Sequence, residues 1–111
     1  MNSKTTAEAL SPQVQAVLAR IEAKRDEVVA LTQDLVRIPT VNPPGDAYEA
    51  CARYIGERLK PRGFAVEYVR AHGAPGDSDA KPRVNVVARW QGAPNGECVH
   101  FNSHIDVVEA G

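Results

Sequence analysis

The feature that most constrains the fold of this chain is a change in the spacing of its apolar residues at Gly63. Before Gly63 they recur every three, four or seven residues, a spacing typical of the buried face of an α-helix. After Gly63 the period changes to two and β-formers become frequent, a pattern typical of strands. A chain of 111 residues with this order is long enough for one small domain and too short for two of ordinary size.

The first predicted helix spans residues 12–38. Ser11 is a suitable N-cap, and Pro12 occupies the first helical position, where the missing N–H costs nothing. Polar residues 22–27 dilute the apolar face, which leaves a break at this point open. The helix must stop near Pro39, because proline disfavours helical geometry in the residue before it.

A proline-rich loop, residues 39–45, follows and is interpreted as a stiff structural corner. The second predicted helix spans residues 46–60, with Asp46 as its N-cap and Glu49 completing a capping box. Gly63 is suited to the left-handed conformation that closes a helix.

Three strands are predicted after this glycine, at residues 64–69, 84–90 and 97–102. Residues 70–82 carry no apolar pattern and are expected to form a mobile surface loop. The turn signals of residues 91–96 predict that the last two strands form an antiparallel hairpin.

The predicted fold is therefore α/β, with two helices followed by three strands. The chain stops just after the third strand without an element to cover the sheet, so we interpret it as the truncated start of a larger domain. On this interpretation residues 1–10 are a flexible N-terminus and residues 11–111 are the N-terminal portion of the domain.

Composition excludes several classes of partner. Thirteen basic and 14 acidic residues give a net charge of −1, so nothing favours binding to nucleic acid or to an anionic membrane. No apolar run approaches the ~18 residues of a membrane span, and the N-terminus lacks the apolar core of a signal peptide. We expect a soluble cytoplasmic protein. Cys51 and Cys98 are expected to be buried free thiols, with a disulfide between them as the alternative.

The candidate site is a His-x-Asp pair, His104 and Asp106, at the end of the third predicted strand. Residues two apart in a strand point to the same side, so the carboxylate can reach the imidazole. A zinc-binding histidine commonly gives its second ring N–H to such a carboxylate. His100 and His72 are weaker candidates: His100 is expected to have a structural or solvent-facing role, and His72 is expected to be exposed. Cys51 is expected in the core, and no nucleotide-binding glycine loop is present.

Residues 102–111, Asn-Ser-His-Ile-Asp-Val-Val-Glu-Ala-Gly, resemble the metal-binding segment of the zinc-dependent acetylornithine deacetylase and succinyl-diaminopimelate desuccinylase family. That family is similar to aminoacylases and glutamate carboxypeptidases. Further stretches resemble the same family in its order and spacing: residues 35–45, 52–59, 63–64 and 83–88.

The resemblance implies a zinc-peptidase-like three-layer domain, of which this chain carries the N-terminal part. It implies that His104 ligates one zinc of a two-zinc centre, with cobalt as an alternative ion, and that Asp106 orients His104. The implied substrate is an N-acyl amino acid or a small peptide, and the implied full-length protein is a homodimer. The family's other ligands and its glutamate general base lie beyond residue 111, and no substrate-binding residue is assigned here.

Two departures from the family pattern, Ser103 in place of glycine and Glu109 in place of proline, leave the branch open. The tripeptide Asn42-Pro43-Pro44 leans toward the acetylornithine deacetylase branch. Two other functions also stay open: a truncated product without catalytic activity, and a small binding domain that uses an exposed strand edge.

Overall fold

The computed structural model describes residues 9–111, and it contains three α-helices and two strands in that range. The helices are α1 (Pro12–Ala23), α2 (Arg25–Val36) and α3 (Tyr48–Leu59), and the strands are β1 (Ala65–Arg70) and β2 (Val84–Arg89). The chain divides into two compact units, Met1–Asp34 and Leu35–Gly111. Most of the predicted flexible N-terminus, residues 1–8, lies outside the described residues.

The first unit contains α1 and most of α2, which together occupy the single helix predicted over residues 12–38. The Ser11 side chain accepts a hydrogen bond from the backbone N–H of Val14 at 3.3 Å, so the predicted N-cap is confirmed. Lys24 separates the two helices with φ −101° and ψ 6°, and its side chain pairs with Glu27 at 2.6 Å. The break lies within the polar stretch that dilutes the apolar face.

In the second unit α3 packs on the sheet, and the buried residues of this helix are Cys51, Ala52 and Gly56. A Cβ at Gly56 would meet the hydroxyl of Tyr68 on β1, so glycine allows the helix and the strand to approach closely. The helix is followed by a 3-10 turn that ends at Gly63 with φ 87°, the left-handed conformation expected from the sequence.

The predicted capping box at the start of this helix is wrong. The helix begins at Tyr48 after Ala47, which has φ 56° and provides no side-chain cap. Asp46 instead pairs with Lys81 at 2.8 Å, and Glu49 pairs with Arg53, one turn later, at 2.8 Å. Because the helix begins at Tyr48, Asp46 lies one residue before the N-cap position, and both carboxylates form ion pairs instead.

The sheet is a two-stranded antiparallel pair, with Ala65 opposite Arg89 and Arg70 opposite Val84. The predicted hairpin between residues 84–90 and 97–102 is therefore wrong, because the partner of β2 is β1. The mixed α/β class is confirmed at this coarse level.

Residues 97–102 form no strand, which corrects the prediction of a third strand. Their apolar side chains are exposed, with Val99 75% and Phe101 91% accessible. Alternation of apolar residues favours a strand only where a neighbouring backbone and an apolar cover are available, and within residues 9–111 neither reaches this segment.

The two cysteines differ in environment. Cys51 is a free thiol that is 3% exposed, and burial raises the pKa of that thiol. Cys98 is free and exposed, so the prediction that both thiols are buried is wrong for Cys98, which lies in the segment that forms no strand. Within the described range, no helix combines the length and apolar character needed to cross a membrane.

Candidate functional site

The predicted pair is in direct contact. Nδ1 of His104 lies 3.0 Å from Oδ1 of Asp106 and 3.0 Å from the Asp106 backbone carbonyl oxygen. The sequence predicted that this segment is the end of a regular strand, which it is not. It makes one parallel bridge, between Val107 and Val41. The expected contact is present, because residues two apart reach each other in any extended backbone.

The two side chains differ in exposure. The His104 ring is 84% accessible, whereas Asp106 is 38% accessible. Because Asp106 engages Nδ1, the opposite ring nitrogen, Nε2, points away from this carboxylate. The arrangement therefore presents an oriented imidazole to solvent.

Asp106 has a second polar neighbour on the proline-rich loop. Nδ2 of Asn42 lies 3.5 Å from Oδ2 of Asp106. The hydrogen bond from Asn42, and then the one from His104, lower the pKa of the Asp106 carboxyl below its ordinary value, against partial burial, which raises it. The carboxylate is thus ionised and fully available as an acceptor near neutral pH.

Three hydrogen bonds join the same loop to the backbone around Asp106. The backbone N–H of Asn42 donates to the Val107 carbonyl at 2.9 Å, and the backbone N–H of Val107 donates to the Thr40 carbonyl at 3.0 Å. The Thr40 hydroxyl donates to the Ile105 carbonyl at 2.6 Å, and Thr40 is 3% exposed. The backbone on both sides of Asp106 is therefore held by residues 40–42.

Arg83, immediately before β2, approaches this loop from the other side. Its Nη2 lies 3.5 Å from Oδ1 of Asn42 and 3.4 Å from the Pro44 carbonyl oxygen. The guanidinium lies over the Tyr48 ring, 4.7 Å from its centroid. The backbone N–H of Arg83 donates to Asp77 at 2.9 Å, which anchors this residue to the loop between β1 and β2.

The other histidines are not part of the site. His72 and His100 are exposed, as the sequence predicted. Among residues 9–111 there is no group of three histidine, cysteine, aspartate or glutamate side chains placed to hold a metal ion. Within the described part of the chain, His104 and Asp106 thus have no third side chain of these types grouped with them.

Sequence reasoning missed Thr40, Asn42 and Arg83. The sequence indicates only a structural corner for the loop, and it places Arg83 in a strand that resembles the family. The one local signal is that Thr40 and Asn42 are polar residues two apart, which places both side chains on the same side of an extended segment.

Comparison with curated proteins gives matches. Over 86 residues the chain is 35% identical to a succinyl-diaminopimelate desuccinylase from Methylobacterium radiotolerans. The match covers 78% of this chain and 20% of the relative, so the chain spans about a fifth of that protein's length. No protein-family model and no solved structure matches the chain. The similarity supports a relationship to the hydrolase family that the motifs resemble, without pointing to one member.

Proposed function

We propose that this chain is the N-terminal part of a metal-dependent hydrolase that cleaves the amide bond of N-acyl amino acids or small peptides. The observation that carries the proposal is the 3.0 Å contact between Nδ1 of His104 and Oδ1 of Asp106. It is supported by the similarity to a succinyl-diaminopimelate desuccinylase.

The donor chemistry fits zinc at one coordination position. Zinc accepts neutral imidazole nitrogen, and a carboxylate on the other ring nitrogen fixes the tautomer that leaves Nε2 free to coordinate. Catalytic zinc takes about three protein ligands, so His104 would share the ion with residues other than those described. Cobalt takes the same imidazole donor and is the alternative ion.

His104 and Asp106 would have different roles in this site. His104 would hold the ion through Nε2, and Asp106 would orient the ring and keep its Nδ1 protonated. A bound zinc ion would lower the pKa of a water molecule and polarise the scissile carbonyl. No residue of the chain is proposed as the general base.

A chimera tests this function. This chain would replace the corresponding segment of the Methylobacterium radiotolerans desuccinylase, and hydrolysis of succinyl-diaminopimelate would be measured after removal of metal and addition of zinc or cobalt. We expect metal-dependent hydrolysis. Asp106→Asn should reduce it by roughly 10- to 100-fold, the usual effect of removing the partner of a ligating histidine, and His104→Ala should reduce it further.

His100→Ala is the matched control, because His100 is an exposed histidine in the same segment. It should leave hydrolysis unchanged. A folded chimera that hydrolyses substrate equally well with His104→Ala would overturn the proposal. A folded, metal-supplied chimera without activity would favour the non-catalytic product or the small binding domain.

A further inference from the structure

The loop of residues 40–42 makes several hydrogen bonds to the segment that carries the candidate site. Two backbone hydrogen bonds connect it to Val107, and the buried Thr40 hydroxyl reaches the Ile105 carbonyl. These bonds restrain the backbone on either side of Asp106, although the two segments are 65 residues apart in the chain. Only the side chain of Asp106 then remains to be oriented.

The neighbours of Asn42 determine which way its amide points. A guanidinium is a donor without acceptor atoms, so Arg83 requires the amide oxygen of Asn42 on its side. The amide nitrogen of Asn42 then faces Asp106, whose carboxylate can only accept. Exchange of the amide oxygen and nitrogen would place donor against donor and acceptor against acceptor.

The contacts give each oxygen of Asp106 its own partner. Oδ2 lies beside the Asn42 amide at 3.5 Å, and Oδ1 lies beside His104 at 3.0 Å. A carboxylate held at one oxygen has fewer rotations available to it, so its other oxygen stays in place for the imidazole. The polar contacts thus form one continuous series, from Arg83 through Asn42 and Asp106 to His104.

We propose that Asn42 is a positioning residue for His104: it holds the Asp106 carboxylate in the orientation that keeps the proton on Nδ1 and leaves Nε2 for a ligand. Thr40 supports the same orientation by fixing the backbone. This inference rests on the proposed function for its purpose, and it can be tested on the metal-free chain.

The test measures the imidazole tautomer of the histidines in the ¹⁵N-labelled 111-residue chain, without metal, by long-range ¹H–¹⁵N correlation at a pH where the rings are neutral. His72 and His100 are exposed and act as internal references. In the unsubstituted chain we expect the Nδ1–H form to predominate at His104. With Asn42→Ala its population should fall toward that of the two references without reaching it, because the Asp106 backbone carbonyl still accepts from Nδ1.

Asn42→Asp preserves the size of the side chain and places a second carboxylate beside Asp106, so it should shift the tautomer in the same direction. Thr40→Val removes only the hydroxyl and should have a smaller effect. The matched controls are Asn85→Ala, at an exposed position of β2, and Thr32→Val, whose hydroxyl also bonds a carbonyl, that of Val28 at 2.8 Å. Neither control should change the tautomer of His104.

The proposal is overturned if folded Asn42→Ala or Asn42→Asp retains the original His104 tautomer, or if His104 matches the references before any substitution. Loss of the fold in both variants would also overturn it, because Asn42 would then serve the fold rather than the ring. The measurement involves no metal and no substrate. Its failure is therefore distinct from failure of the chimera, which tests the hydrolase function.

Discussion

Asp77, in the loop between β1 and β2, has several hydrogen-bond donors around it. Its side chain is 5% exposed, and it accepts hydrogen bonds from Nε of Arg70 at 3.0 Å and from the backbone of Arg83 at 2.9 Å. The Arg70 guanidinium is the main cause that lowers the pKa of Asp77 from 3.8 to about 2. The loop between the strands, expected from its sequence to be mobile, is therefore anchored to both strands' ends through Asp77.

The lowered pKa of Asp77 predicts how the stability of the chain depends on pH. Its pKa is lower in the folded than in the unfolded chain, so its contribution is complete above about pH 4 and is lost as the pH falls through about 2. Asp77→Asn should lower the urea midpoint of unfolding at pH 7, and this deficit should shrink between pH 4 and pH 2. Urea titrations of both chains at several pH values measure this difference in midpoint.

Asp79→Asn is the control at this scale, because Asp79 pairs with the same Arg70 but is 99% exposed. An exposed ion pair contributes little to stability, so the urea midpoint of Asp79→Asn should differ only slightly from that of the unsubstituted chain. An Asp77→Asn deficit that is the same at pH 7 and pH 2 would contradict the assignment.

At the scale of elements, α3 and the sheet meet at small side chains. Ala52 is 0% exposed, and Gly56, one turn later, is also buried. Small residues allow the helix backbone to lie close to the strands, so the interface has no space for a larger side chain. The second unit depends on this contact, since α3 packs against both strands.

Ala52→Leu should therefore destabilise the chain by about 1–3 kcal/mol, the usual cost of overpacking a filled core. Ala50→Leu is the matched control, because Ala50 is exposed on the same helix. Its effect should stay within about 0.5 kcal/mol, as at most surface positions. Both free energies of unfolding come from urea titration, and equal effects of the two substitutions would show that this face of α3 is not packed.

At the scale of the whole molecule, backbone pairing is uneven along the second unit. Residues of β1 and β2 pair along their full length, whereas residues 97–102 form no strand and expose their apolar side chains. Amide hydrogens exchange slowly where backbone hydrogen bonds are cooperative and buried, and quickly elsewhere.

Hydrogen-exchange mass spectrometry should therefore find slow exchange in peptides covering α3, β1 and β2, and fast exchange in a peptide covering residues 97–102. Peptides from the pairing strands provide the comparison within the same sample. Protection at residues 97–102 equal to that of β1 would mean that this segment forms the third strand expected from its sequence.

A second expectation at this scale concerns activity. The 111-residue chain by itself should hydrolyse no N-acyl amino acid, even with zinc or cobalt supplied, because one imidazole holds a metal ion weakly. Assays of acetylornithine and succinyl-diaminopimelate hydrolysis check this. Deacylation that disappears with a chelator and with His104→Ala would show that a complete site forms from residues assigned here to structure.

The sequence by itself determined the features that depend on near neighbours. The apolar period located the helices and the two observed strands, Ser11 and Gly63 marked helix ends, and the two-residue spacing placed Asp106 beside His104. In each case the interacting groups lie within a few residues, so local backbone geometry alone brings them together.

Only the tertiary structure decided which distant segments meet. It paired β2 with β1 rather than with residues 97–102, and it brought Thr40 and Asn42 to a segment more than 60 residues away. A polar loop residue has the same sequence signature whether it faces water or a carboxylate. Its partner is set by the packing of the whole chain, because a buried hydroxyl or amide must find a hydrogen bond wherever the fold places it.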